Sequence, residues 1–454
     1  MNQLDYLFTP KSVAVIGASR SPKKAGHVIF RNFIDEDFKG MIYPINPNID
    51  EMFGYKCYPS VLKVKGEIEL AVLAVPAALV PKALEECGRK RIPAAIIISS
   101  GFKEIGKHNL ENKIKEIVNK YNIRVLGPNC LGVYNPYSGV DTIFNPRYKL
   151  ERPEEGHIAF ISQSGATMSV ILDWITMKGY RASKFISYGN AADIDEAELI
   201  EYLTKDKQTS VICVYLEGVK NGRRFFNALK NSSKKPIIVL KGGETKAGSR
   251  AVTSHTGSLA GEAEVYEAAF KQTGTVISRD LEQIFDFARV LSTQPKPKGR
   301  RVQIITDGGG FGVLTVDWLI KNGFEIAKMK KESIQKLRKI MPSYIILGNP
   351  IDLTGNVTTE MYRASMEAAL NDNNIDAIIL IILFYPPNLT SDVVEAVIEE
   401  SKRKKKPILV ISAGGRYTEV LKKFLEDDGV PCFSYPERAI HALKALHDYS
   451  KTNP

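Results

Sequence analysis

At 454 residues the chain exceeds what one hydrophobic core usually supports, so roughly three domains of ~150 residues are expected. Its 44% hydrophobic content is ordinary for a globular protein. The longest apolar run, 375–385, is broken by Asp376 and closed by Pro386-Pro387. It falls short of the ~20 residues a bilayer span needs, so no membrane segment is expected. The formal net charge of +11 favours anionic partners, whether a polyphosphate ligand, an acidic subunit or nucleic acid, without choosing among them.

Residues 1–10 have neither a basic start nor an apolar core, so no secretion signal is read and a cytoplasmic protein is expected. From there apolar β-branched runs alternate with amphipathic stretches, the pattern of parallel sheets with helices on both faces. A first block predicts strands at 12–17, 40–45, 68–75, 94–100 and 124–126; a second at 157–162, 184–188, 211–216, 236–242 and 275–278. The prolines of the linker Gln294-Pro295-Lys296-Pro297-Lys298-Gly299 cannot join a sheet interior. A third block predicts strands at 302–306, 324–329, 375–384, 407–412 and 431–434. The fold expected is α/β: a Rossmann-like domain over 1–130, then flavodoxin-like domains over 150–293 and 300–454.

In open α/β sheets ligands bind beyond the carboxyl ends of the strands, so the turns there hold the candidate residues. The first is Gly17-Ala18-Ser19-Arg20, where small residues let backbone N–H groups approach a phosphate. A dinucleotide fingerprint needs glycines where Ser19 and Pro22 stand, and an acidic residue where strand two ends in Ile45-Asn46. A nicotinamide cofactor is disfavoured; a nucleotide such as CoA, or a tight turn that binds nothing, stays open. Val75-Pro76, Ser99-Ser100-Gly101 and Asn129-Cys130 leave the next strands and can line the same crevice. A Cys130 nucleophile has no nearby histidine to activate it. The five cysteines are scattered, without zinc or CxxC spacing, and the run 402–406 of lysines and arginine reads as a solvated helix end.

In the second block Ser162-Gln163-Ser164-Gly165 starts a helix with free N–H groups and no bulky side chain, a phosphate cradle. Gly308-Gly309-Gly310 in the third block offers another. His255 lies in the Gly- and Ser-rich stretch 241–261, read as a flexible loop. An imidazole there can attack phosphorus and carry the phosphoryl group, with Glu217 at a strand end to orient the ring. An inert surface histidine is the alternative. The second and third blocks also echo one another: a small-residue turn into a helix, then GNxxD at Gly189–Asp193 and Gly348–Asp352.

The Gly17-Ala18-Ser19 turn, Gly127-Pro128-Asn129-Cys130, Ser162-Gln163-Ser164-Gly165, Glu217, Ser254-His255-Thr256-Gly257 and Asn349-Pro350-Ile351-Asp352 together resemble the α subunit of ADP-forming acetyl-CoA synthetases (acetate–CoA ligases), in the succinyl-CoA synthetase superfamily. The resemblance implies a CoA-binding first domain, a second that carries a phosphohistidine at His255, and a third that supplies an opposing phosphate-binding helix. It further implies that phosphate displaces CoA from an acyl thioester, His255 takes the phosphoryl group from the acyl phosphate, and ADP receives it. No GxxxxGK[ST] loop and no ATP-grasp segment is found, so the nucleotide is expected to bind elsewhere; the resemblance implies that nucleotide and Mg2+ belong to an ATP-grasp β subunit, in an α2β2 heterotetramer. The acyl group, acetyl or larger, is not legible. Two rivals remain: a non-catalytic CoA-binding regulatory module, which has no use for His255 and Glu217, and a Rossmann oxidoreductase.

Overall fold

Apolar runs such as Leu70–Leu73 and Ala94–Ile97 are buried on both faces, which requires parallel strands covered by helices. The computed structural model describes residues 2–232, 234–256 and 262–453, with backbone alone at 253–256. Contacts divide it into two units, 1–277 and 278–454.

The first unit opens with β1 (Ser12–Ile16), β2 (Met41–Ile45), the hairpin β3 (Glu51–Met52) and β4 (Tyr55–Lys56), β5 (Leu70–Leu73), β6 (Ala94–Ile97) and β7 (Arg124–Leu126). The parallel sheet runs β2-β1-β5-β6-β7, so the chain reverses its direction of travel between β1 and β5. That switch point is where such sheets form a ligand crevice.

A second sheet follows in the same unit: β8 (Gly132–Asn135), β9 (Val140–Asp141), β10 (Glu155–Ser162), β11 (Ala182–Ser187), β12 (Val211–Leu216), β13 (Ile237–Lys241) and β14 (Val276–Ser278), in the order β14-β13-β12-β10-β11-β8-β9. One hydrophobic cluster serves both sheets, joining Phe8, Phe30 and Ile98 to Ile161, Tyr188 and Val214. The edge strands β8 and β9 were not anticipated; they are short, lack polar alternation, and pair antiparallel beside β11. After them Arg152 donates to Asp141 (Nε to Oδ2, 2.8 Å) and to the Asn145 carbonyl (3.1 Å), with the ion pair fully buried. This clasp fixes the segment that carries Phe144 and Asn145.

The second unit contains β15 (Arg301–Thr306), β16 (Glu325–Ile326), β17 (Ile346–Leu347), β18 (Ile351–Asp352), β19 (Ala377–Ile381), β20 (Ile408–Ile411) and β21 (Cys432–Phe433), ordered β17-β18-β15-β19-β20-β21 with β16 also on β15. The strand expected at 324–329 shrinks to two residues. The Asn349 side chain explains it, donating to the carbonyls of Val302 (2.7 Å) and Ala327 (3.0 Å) and accepting from Ile304 N (3.0 Å) in place of a neighbouring strand.

The α/β architecture is as expected, a Rossmann-like domain and two flavodoxin-like ones, with two further local corrections. The stretch 241–261, read as a loop, holds a helix at Lys246–Thr256, because Thr245 caps it: its Oγ1 accepts from Gly248 N (3.0 Å) and its carbonyl from Ser249 N (2.7 Å). The GNxxD echo is not a structural one. Ser162 pairs with Ser187 and Thr306 with Asp352, so Asn190 follows its strand while Asn349 precedes it. The turn echo is real: Ser162 Oγ donates to the Ser164 carbonyl (2.7 Å) as Thr306 Oγ1 does to that of Gly308 (3.0 Å). Among the described residues no helix is long and apolar enough to cross a membrane.

Candidate functional site

The switch-point crevice of the first sheet begins at Gly17, whose φ of +93° excludes a side chain; a Cβ there would lie 2.5 Å from the Ala74 carbonyl oxygen. Gly17 N donates to Ile45 O (3.0 Å) and Asn46 Nδ2 to Ala18 O (2.6 Å), which ties the turn to the end of β2. His27 donates to the Ser19 carbonyl (2.9 Å), Ser19 Oγ accepts from Ser21 N (3.2 Å), and Arg20 reaches the Glu51 carbonyl (3.0 Å). Val75 and Pro76 leave β5 on the other side of the switch point. The Ser99 hydroxyl donates to the Val75 carbonyl, and the Ser99 carbonyl accepts from Asn129 N (2.9 Å). A chain of hydrogen bonds through Ser99 therefore leads from the first crevice to a second.

That second space is a cavity of about 570 Å³ between the two sheets of the first unit. Ser100, Asn129 and Cys130 line it from the first sheet; Gln163, Ser164, Gly165 and Glu217 line it from the second. Gly17, Ala18, Ser19, Arg20, Asn46, Val75, Pro76, Ser99 and Gly101 are not in its wall. Gly101 has φ +108° and donates its N–H to Glu104, which shapes the turn beside Ser100.

Ser162 is fully buried with its hydroxyl turned onto the Ser164 carbonyl, so it shapes the cradle from beneath. Ser164 caps the helix Gly165–Met177 by accepting from Thr167 N (3.2 Å). Gln163 Oε1 accepts from the backbone N–H of Glu217 (2.8 Å) and Gly218 (3.1 Å), locking the end of β12 to the cradle. The helix's first-turn N–H groups thus open towards a buried carboxylate. Glu217 Oε1 accepts from the Tyr215 hydroxyl (3.4 Å), and the buried Lys241 ammonium donates to the Glu217 carbonyl (2.8 Å). Desolvation holds Lys241 below the usual lysine range. A site with an N–H cradle, a carboxylate and a buried cation suits a group whose negative charge moves during reaction.

His255 lies outside the residues whose side chains are described; its backbone belongs to the helix Lys246–Thr256.

Burial pushes the Cys130 thiol up to about 12, and its Sγ donates to Ile97 O (3.4 Å). It is a neutral wall group and no nucleophile. Iodoacetamide at pH 9 is expected to leave Cys130 unmodified in the folded chain and to alkylate it in urea, read by peptide mass; rapid native alkylation would refute this.

In the second unit Gly308 caps the helix Gly309–Lys321. Here Asp307 stands in the register of Gln163 and accepts from Leu383 N at 3.1 Å through both oxygens, while Leu383 occupies the register of Glu217. Burial pushes Asp307 up to about 6. A Cβ on Gly309 would lie 2.9 Å from Asp352 Oδ2, so an anion at Gly308, Gly309 and Gly310 meets two carboxylates that the Ser164 cradle lacks.

Three family models match the chain: a CoA binding domain over residues 11–136, a succinyl-CoA ligase like flavodoxin domain over 155–291, and a ligase-CoA domain over 302–453. The Pyrococcus furiosus protein named acetate–CoA ligase (ADP-forming) II subunit alpha is 39% identical, the match covering 99% of this chain and 98% of that relative. The chain belongs to the ADP-forming acetate–CoA ligase family. Another member, from Methanocaldococcus jannaschii, is 42% identical over 99% of this chain, which spans 63% of that relative's length. The solved structure of the dinucleotide-forming acetyl-coenzyme A synthetase 1 of Ca. Korarchaeum cryptofilum, in complex with phosphate and ADP, matches at TM-score 0.93 and 37% identity, covering 100% of this chain and 98% of that one.

Lys103, Asn190, Phe144 and Asn145, which also line the cavity, and Lys241 beside it are not among the site residues expected from the sequence. Lys241 carried a signal, a lysine closing the otherwise apolar strand Ile237–Lys241. Phe144 and Asn145 lie in an irregular segment whose place depends on the Arg152 clasp, which no local pattern announces.

Proposed function

We propose that this chain is the α subunit of an ADP-forming acyl-CoA synthetase, converting acyl-CoA, ADP and phosphate into acid, ATP and CoA. The observation that supports it best is the cavity that unites strand ends of a CoA-binding domain with the Ser164 cradle and Glu217. In this reading Gly17, Ala18, Ser19, Arg20, Asn46, Val75 and Pro76 hold CoA at the switch point. Ser99, Ser100, Gly101, Asn129 and Cys130 form the path of its thiol end.

Phosphate on the first-turn N–H groups of Ser164-Gly165 attacks the acyl carbon; the C–S bond breaks and CoA leaves as thiolate. Neutral His255 then attacks phosphorus, forming an N–P bond as the P–O bond to the acyl group breaks and the carboxylate departs. Glu217 orients the imidazole and balances the charge it gains. Gly308, Gly309 and Gly310 form a phosphate-binding turn of the second unit in this reading. ADP takes the group from His255 on an ATP-grasp β subunit of an α2β2 assembly, where Mg2+ supplies charge neutralisation for the diphosphate. Among the described residues of this chain no three His, Cys, Asp or Glu side chains gather as a metal site needs. Domain limits of 1–130, 150–293 and 300–454, an acetyl group as substrate and a cytoplasmic location complete the proposal.

With the cognate β subunit, γ-labelled ATP is expected to leave an acid-labile, base-stable label on this chain, and His255→Asn to abolish it. Label that persists in the variant refutes the assignment.

A further inference from the structure

A dense cluster of unassigned charge lies in the second unit, where β15, β19 and β20 begin, at the edge of that sheet opposite the Gly308 turn. Two cavities there, of about 650 and 700 Å³, share Lys296, Lys298, Arg301 and Asp376 in their walls. The first adds Arg300 and Lys451, the second Lys405 and Lys406. Against these seven cations stand two carboxylates, Glu325 and Asp376. The basin thus carries an excess of five positive charges, close to half of the chain's formal +11.

Asp376 is already matched. Its Oδ2 accepts from Arg301 N (3.0 Å) and Nε (2.9 Å), and its Oδ1 from Arg301 Nη2 (2.9 Å). The Lys406 ammonium, half-buried, donates to the Ala369 carbonyl (2.7 Å) and the Asp372 carbonyl. Desolvation pushes it down to about 8, with Arg301 and Lys298 adding repulsion against Asp372 and Asp376. Lys298 and Lys405 are exposed, Lys405 bonding Asn371 Oδ1 (2.7 Å). Crowded cations in a concave space attract a compact ligand with several negative charges, and the volumes fall within the ~300–1,000 Å³ of small-molecule sites. A nucleic-acid backbone would call for an extended basic stripe instead.

We propose that this basin binds a polyphosphate chain, either inorganic tripolyphosphate or the triphosphate of a nucleotide, at a site built from residues other than those of the phosphoryl-transfer cavity.

The test is calorimetric titration of the full chain, without partner, with tripolyphosphate and separately with ATP. Saturating inorganic phosphate is present throughout to occupy the Ser164 cradle. Lys298→Gln/Lys405→Gln, both exposed and so compatible with folding, is expected to weaken tripolyphosphate at least about tenfold. The control Lys178→Gln/Lys207→Gln, which removes two exposed lysines of the first unit, should change it less than about twofold. Equal binding of both ligands assigns recognition to the phosphate chain in general, and binding of tripolyphosphate alone to the inorganic source. No binding of either, or equal losses in the two double variants, overturns the proposal. So does a Lys298→Gln/Lys405→Gln chain that keeps tripolyphosphate but no longer holds its β subunit, since the face is then a subunit interface.

Discussion

Glu217→Gln is expected to lower kcat by about 100-fold or more while KM for CoA stays near that of the unsubstituted enzyme. The substitution is nearly isosteric, and the backbone N–H of residue 217 keeps its bond to Gln163 Oε1. The cradle therefore keeps its shape. What is lost is the negative charge proposed to favour the cationic state of the attacking His255 imidazole. Neutralising a buried carboxylate removes a desolvation penalty, so thermal stability should hold or rise. Rapid-quench measurement of chain phosphorylation, paired with a melting curve, separates the two readings. A normal phosphorylation rate, or a slow one explained by unfolding, removes Glu217 from the mechanism.

Gly26→Ala should abolish detectable CoA binding and destabilise the first unit. Alanine improves helix propensity by about 1 kcal/mol over glycine, which taken alone favours the substitution within the helix Ala25–Asp35. Here packing wins. A Cβ on Gly26 would sit 2.0 Å from the Gly17 carbonyl oxygen and 2.7 Å from its carbon, both backbone atoms that no rotamer change can move. Relief requires the helix or the turn to shift, at a cost of about 1–3 kcal/mol or more. The displaced turn carries the N–H groups proposed to meet CoA. Urea unfolding and CoA titration measure the two effects, and wild-type values in both would show that the helix start gives way freely.

The central strands were legible because each is an apolar run buried on both faces, as in Val211–Leu216 and Ala377–Ile381. The short strands Gly132–Asn135 and Ile351–Asp352, each second from the edge of its sheet, were not, since their pairing depends on tertiary neighbours more than on composition. Motif matching misled at GNxxD, where letters agreed and registers did not. A better internal match went unread: Asp173-Trp174 and Asp317-Trp318 each begin eight residues after Gly165 and Gly309, the first residues of equivalent helices. In the candidate site, strand-end turns pointed to Ser164, Gly165 and Glu217. The cavity's Phe144 and the neighbouring Lys241 became visible only once distant segments were packed together.

The hydroxyl-to-carbonyl clasp at Ser162 and Thr306 is the same joint used twice, with the end of a parallel neighbour strand, β12 or β19, tied down each time by the side chain one position further on. Because that tie grips backbone N–H groups, the side chain at the tied position can change without disturbing the joint. One copy bears Glu217 and the other Leu383. On the proposed reading the duplicated joint is kept in both halves while only one bears the carboxylate of Glu217, and the other differs further by carrying Asp307 and Asp352 beside its turn.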